Sequence, residues 1–105
     1  MTDSFQQPNS SEVDTQVGQA WSQHFLGHND VAIRAFQQLV ERWPDHIDAH
    51  YGLALSLKTA KQKAEAGEAF RKAKSLVENE ILAQTEMNPR LMMLSRMVDQ
   101  QLAML

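Results

Sequence analysis

The sequence predicts an all-α protein built from antiparallel helix hairpins. Three observations carry that prediction. Apolar residues recur at three- and four-residue steps from Val13 onward, the spacing of a half-buried helix. Breaks containing Gly, Asn, Asp or Pro separate these runs at 26–30, near Pro44 and at Asn88–Pro89. A shift of 34 residues brings Asp14/Asp48, Gly18/Gly52, Ala20/Ala54, Ser22/Ser56, Ala32/Ala66, Ala35/Ala69 and Phe36/Phe70 into register. That is seven identities, where average composition gives roughly two. Small residues fall on small and Phe on Phe, as repeated close helix packing requires.

Residues 1–10 are polar and read as a flexible arm. Ser10 or Ser11 suits an N-cap, with Asp14 three residues after Ser11 placed to complete it. The first helix then runs to Phe25 on Val13, Val17, Ala20 and Trp21. Gly27 suits a left-handed helix end, and Asn29 or Asp30 the next cap. Ala32, Ile33, Phe36, Leu39 and Val40 mark a second helix, stopped near Pro44. Asp45 or Asp48 helps start the third helix. Nothing between Val77 and Asn88 breaks a helix, so the fourth either runs on toward Met87 or kinks near Asn79. Asn88 before Pro89 is a fresh start, a cap with proline at the first helical position. The last helix, 89–105, is about 25 Å long. Leu91, Leu94, Val98, Leu102 and Leu105 form one stripe on it, and Met93, Met97 and Met104 a second. That is apolar surface enough for two neighbours.

The bulk properties exclude several functions. The chain has 105 residues and a net charge of −3, which leaves no electrostatic footprint for nucleic acid or an anionic membrane. Six of the ten basic residues fall between Lys58 and Lys74, but without interleaved aromatics. There is no cysteine, hence no disulfide, thiolate metal site or cysteine nucleophile. No secretory leader and no membrane-spanning run is present, so a soluble cytoplasmic protein is expected. His24/His28 and His46/His50 each have the four-residue spacing that can hold a metal on a helix. In an antiparallel hairpin the two pairs fall at opposite ends, and neither has a third ligand. No metal or cofactor is predicted. No nucleophile is paired with a base, and no Gly-rich loop suits a phosphate.

The 34-residue period resembles the tetratricopeptide (TPR) repeat. The family's Ala-x3-Phe of the second helix stands here as Ala32–Phe36 and Ala66–Phe70, and its closing proline as Pro44. The chain departs from the pattern at Gln16 and His50, where an aromatic is usual, and at Lys61 and Glu78, which replace the turn glycine and closing proline. The resemblance implies two TPR-like repeats of an α-solenoid over 11–78, about 13–46 and 47–80, with a helical extension over 79–105. It also implies a non-enzymatic module that holds a protein or peptide partner in a concave groove. The groove positions carry over to Asp14, Val17, Trp21, His24 and Phe25, then to Asp48, Tyr51, Leu55, Lys58 and Thr59. A clamp for a terminal carboxylate is not expected, since Val17, Trp21 and Gly52 stand where its Lys and Asn donors would be. Two repeats leave an apolar end. The last helix is expected to cover it as a cap, or to form a homodimer through Leu91, Leu94, Met97, Val98, Leu102 and Leu105. The alternative is a purely structural unit whose groove is filled by its own last helix.

Overall fold

The computed structural model describes residues 8–84 and 86–105. Five helices follow one another: α1 (Pro8–Phe25), α2 (Asn29–Arg42), α3 (Ile47–Thr59), α4 (Lys63–Ala83) and α5 (Pro89–Met104). Of the expected arm, residues 1–7 lie outside the described residues, and 8–10 are already helical. The fixed φ of Pro8 suits a first turn. Ser10 and Ser11 therefore lie within α1.

Two further caps differ from expectation. His28, not Asn29 or Asp30, precedes α2, and only its carbonyl takes part, accepting from Ala32 N–H at 2.9 Å. His46, not Asp45 or Asp48, caps α3: its Nδ1 accepts the Ala49 N–H at 3.2 Å. Asp48 instead lies in the first turn, where a carboxylate complements the helix dipole. Asn88 caps α5 as expected, accepting from the N–H groups of Arg90 at 3.0 Å and Leu91 at 3.3 Å. The helix α4 runs 21 residues, past Val77 to Ala83, because no glycine or proline stops it. Both hairpin turns use a left-handed residue, Gly27 at φ 85° and, one period later, Lys61 at φ 66°.

The molecule measures 47 × 35 × 20 Å, and the short dimension is two helix layers. α1 packs on α2 and α3, α2 on α3, α3 on α4, and α4 on α5. Two apolar clusters result. One gathers Val13, Val17, Ala20, Phe36 and Leu39, the other Tyr51, Ala54, Leu57, Phe70, Ala73 and Val98, and Trp21 and Leu53 pack against both. The periodic pair Phe36 and Phe70 is fully buried. Gly52 is required by this packing: a Cβ there would stand 2.3 Å from Phe36 Cζ.

The two ends of the stack are finished differently. At the α1–α2 end, Gln16, Gln19, Gln23 and Gln38 rim a shallow groove floored by Ala20, Ala35 and Leu39. Glutamine there matches the polar outer face that terminal repeats need. At the other end α5 lies against α4. Leu91 and Val98 are buried, and Leu94, Met97, Leu102 and Leu105 are half-buried. Met97, Leu102 and Leu105 pack on the cluster around Tyr51 and Phe70. The leucine stripe is thus used within its own chain. Met93 and Met104 remain 60% exposed.

Candidate functional site

One face of α3 grades from buried to exposed along the helix. Asp48, Tyr51, Leu55 and Thr59 are spaced three and four apart and so share that face. Asp48 and Leu55 are half-buried, Thr59 is exposed, and Tyr51 is buried at 7% exposure. The groove floor and the core therefore meet in Tyr51.

On the α1 side, Trp21 Nε1 donates to Asp48 Oδ2 at 3.2 Å. The two residues cross the seam between repeats, so this bond ties α1 to α3. Rings form a chain from solvent to core: Phe25 stacks on Trp21 at 5.7 Å, Trp21 lies 6.5 Å from Tyr51, and Tyr51 meets Phe70 edge-on at 5.8 Å. Trp21 also meets Phe36 edge-on at 5.3 Å. Such pairs add about 0.5–1.5 kcal/mol each beyond their burial. Phe25 nevertheless remains 77% exposed. His24 lies below the rim with Nδ1 hydrogen-bonded to the Ser56 hydroxyl at 3.3 Å.

On the α5 side, Lys58 Nζ donates to Gln101 Oε1 at 2.6 Å. Thr59 donates its hydroxyl to the Leu55 carbonyl at 3.0 Å. At the N-terminal ends of α3 and α5, beside the end of α4, lies a cleft of about 300 Å³ lined by His46, Ile47, Asp48, Glu80, Gln84, Asn88, Arg90, Leu91 and Leu94. Burial, with some help from Asp48, holds the Tyr51 phenol above its ordinary pKa, so the ring is a neutral hydroxyl at physiological pH.

The structure sets Trp21 beside His24, Phe25 and Tyr51 and packs Leu55 on the same cluster, while Lys58 bonds Gln101 of α5. Val17 is not among them: it is buried in the cluster with Phe36 and Leu39. Asp14 is exposed on α1. Met97, Gln101 and Arg90 are groove and cleft neighbours that the sequence reading assigned elsewhere or passed over. Gln101, a polar residue set beside an apolar stripe, was the available signal.

The histidine pairs take local roles. His46 caps α3, and His28 Nδ1 is 2.8 Å from Gln23 Oε1. His50 Nε2 donates to the Pro44 carbonyl at 2.7 Å, which fixes the proton on Nε2 in the neutral ring. Burial lowers the His50 pKa below its ordinary value, against the opposing pull of that carbonyl. Among the described residues, no three His, Cys, Asp or Glu side chains gather as a metal set. Likewise, no described helix is long and apolar enough to cross a membrane.

A family model described as Tetratricopeptide repeat matches residues 17–80. No curated protein and no solved structure matches the chain.

Proposed function

Because the chain belongs to the tetratricopeptide repeat family, whose members generally mediate protein–protein contacts, we propose that it is a non-enzymatic cytoplasmic module holding a peptide or helix in the groove around Trp21, His24, Phe25, Tyr51, Leu55 and Lys58. The observation that carries this reading is Phe25. It is a large ring left 77% exposed, stacked on Trp21 at the mouth of a half-buried apolar floor. Exposed aromatic surface next to a concave floor favours a partner, since aromatic anchors dominate binding energy at interfaces. The experiment is a peptide-display selection against the chain, followed by NMR mapping of the selected peptide. Shifts confined to the Trp21 indole, Tyr51 and the Leu55 methyls support the groove. Shifts confined to α2 and α4 would sink it.

A second reading, self-association through α5, is favoured by the exposure of Met93 and Met104. It predicts a solution mass of two chains, reduced to one by Met93→Lys with Met104→Lys. The self-filled groove is less favoured. α5 packs Met97, Leu102 and Leu105 on the cluster around Tyr51 and bonds Lys58 through Gln101, but it leaves Thr59 and Phe25 exposed.

A further inference from the structure

Methionine is placed unevenly in this chain. The helices α1 to α4 contain none, and five of the six methionines lie between Met87 and Met104. The core of both repeats is built from Val, Leu, Ala, Phe and Tyr instead. Sulfur is thus concentrated on the helix that covers the end of the stack, and on the turn before it. Leucine would fill the same space with similar helix propensity. What the thioether adds is reversible oxidation.

Burial sorts the five. Met87, Met92, Met93 and Met104 are exposed, whereas Met97 is half-buried and packs on the cluster around Tyr51 and Phe70. At 100° per residue Met97 shares a stripe with the exposed Met93 and Met104. It stands at the border between solvent and the surface that α5 covers.

The hold on α5 is mainly apolar. Asp99 pairs with Lys74 at the surface, where such pairs stabilise little, and Gln101 adds one bond to Lys58. Leu91, Leu94, Met97, Val98, Leu102 and Leu105 supply the rest. Of these six, Met97 is the one that a mild oxidant can make polar. Its sulfur takes an oxygen from hydrogen peroxide or an organic hydroperoxide. The O–O bond breaks, one S–O bond forms, the sulfur gives up two electrons, and water or an alcohol leaves. The sulfoxide oxygen then needs hydrogen bonds, and the cluster that Met97 covers is Ala, Leu, Phe and Val with one Tyr. Burying a polar group on such a surface is unfavourable, while water solvates it once α5 lifts. Oxidation there favours the undocked helix.

We propose that Met97 is a reversible oxidation site, and that its conversion to the sulfoxide by a hydroperoxide loosens α5 from the repeats. The exposed methionines react without that consequence. This holds whatever occupies the groove.

The test treats the full chain with graded hydrogen peroxide. Peptide mass spectrometry reads the oxygen gained at each methionine, and amide hydrogen exchange reads the opening of α5. Met87, Met92, Met93 and Met104 should oxidise first, with exchange in α5 unchanged. Met97 should follow more slowly, and its conversion should speed exchange over Leu94–Leu102 about tenfold or more. Met97→Leu should keep slow exchange after the same treatment. Met97→Gln, polar and of similar length, should loosen α5 with no peroxide. Methionine sulfoxide reductases supplied with a dithiol should restore the untreated rates. Unchanged exchange with Met97 fully oxidised, or a docked α5 in Met97→Gln, would overturn the proposal. Equal loosening of Met97→Leu by peroxide would overturn it too, by assigning the effect to the exposed methionines. Met97 left intact by a dose that exhausts the other four would show that the oxidant does not reach it. Loosening that reduction fails to reverse would make the reaction damage and not a switch. Either result would also overturn the proposal.

Discussion

The two repeats share seven residues at matching positions and use them unequally. Ala20/Ala54, Ala32/Ala66 and Phe36/Phe70 are buried in both. Gly52 and Ser56 are buried, whereas Gly18 and Ser22 are exposed. A Cβ on Gly52 would strike Phe36, and one on Gly18 would meet nothing within 4 Å. The cause is position in the stack. Repeat two has α1 and α2 against it, and among the described residues repeat one has no helix in the equivalent place. The chain adapts at other positions: Gln16, Gln19 and Gln23 stand where repeat two has His50, Leu53 and Leu57. Identity between repeats therefore reports a shared hairpin geometry. The differences report which hairpin is enclosed.

Exchanging residues between the repeats tests this. The largest effect is expected from Leu57→Gln, which brings the repeat-one residue into a buried site. Lost apolar burial and an unpaired amide should together cost about 3 kcal/mol in urea unfolding. The reciprocal Gln23→Leu should change stability by less than about 0.5 kcal/mol. Equal costs would break the comparison. Next, Gly52→Ala should destabilise by about 1–3 kcal/mol through the Phe36 clash. Gly18→Ala should stabilise by about 0.5–1 kcal/mol as a plain gain in helix propensity. A smaller contrast concerns pH. The folded-state pKa of His50 is lowered, so the unfolded chain binds its proton first as pH falls. The stability tied to neutral His50 is complete above about pH 6.5, the ordinary value, and declines as pH drops through the folded-state pKa. His50→Gln, which copies Gln16, should flatten that slope below about pH 6.5 in urea titrations. An unchanged slope would assign it to other groups. Smallest is the hydroxyl pair. Ser56→Ala should cost about 1 kcal/mol with its bond to His24, and Ser22→Ala close to nothing.

The period itself was legible in the sequence, because Ala32–Phe36 and Ala66–Phe70 are selected by the same close packing in both hairpins. The start of α5 at Asn88–Pro89 was legible for the opposite reason, the presence of a breaker, whereas the end of α4 was open between Val77 and about Met87 and falls at Ala83, where no glycine or proline marks it. The caps were not legible. His46 and His28 took the place of the better-ranked aspartate and asparagine neighbours, since where the chain turns is decided by how the hairpins dock. Val17 shows the same limit at the groove. Its repeat position suggested the concave face, yet a short side chain on α1 is drawn into the cluster with Phe36, while the longer Trp21 reaches across to Asp48. Tyr51 belongs to floor and core together, which no linear pattern separates.

The position of α5 also has a consequence in time. Val98 completes the cluster of Tyr51, Leu57 and Phe70, but the ribosome reaches it well after both repeats have been made. At about 5–20 residues per second, the stretch from Ala73 to Val98 takes roughly 1–5 s. Helical hairpins with local contacts fold in microseconds to milliseconds. During synthesis the cluster of Tyr51, Leu57 and Phe70 therefore spends that interval without Val98, its α5-facing side bare.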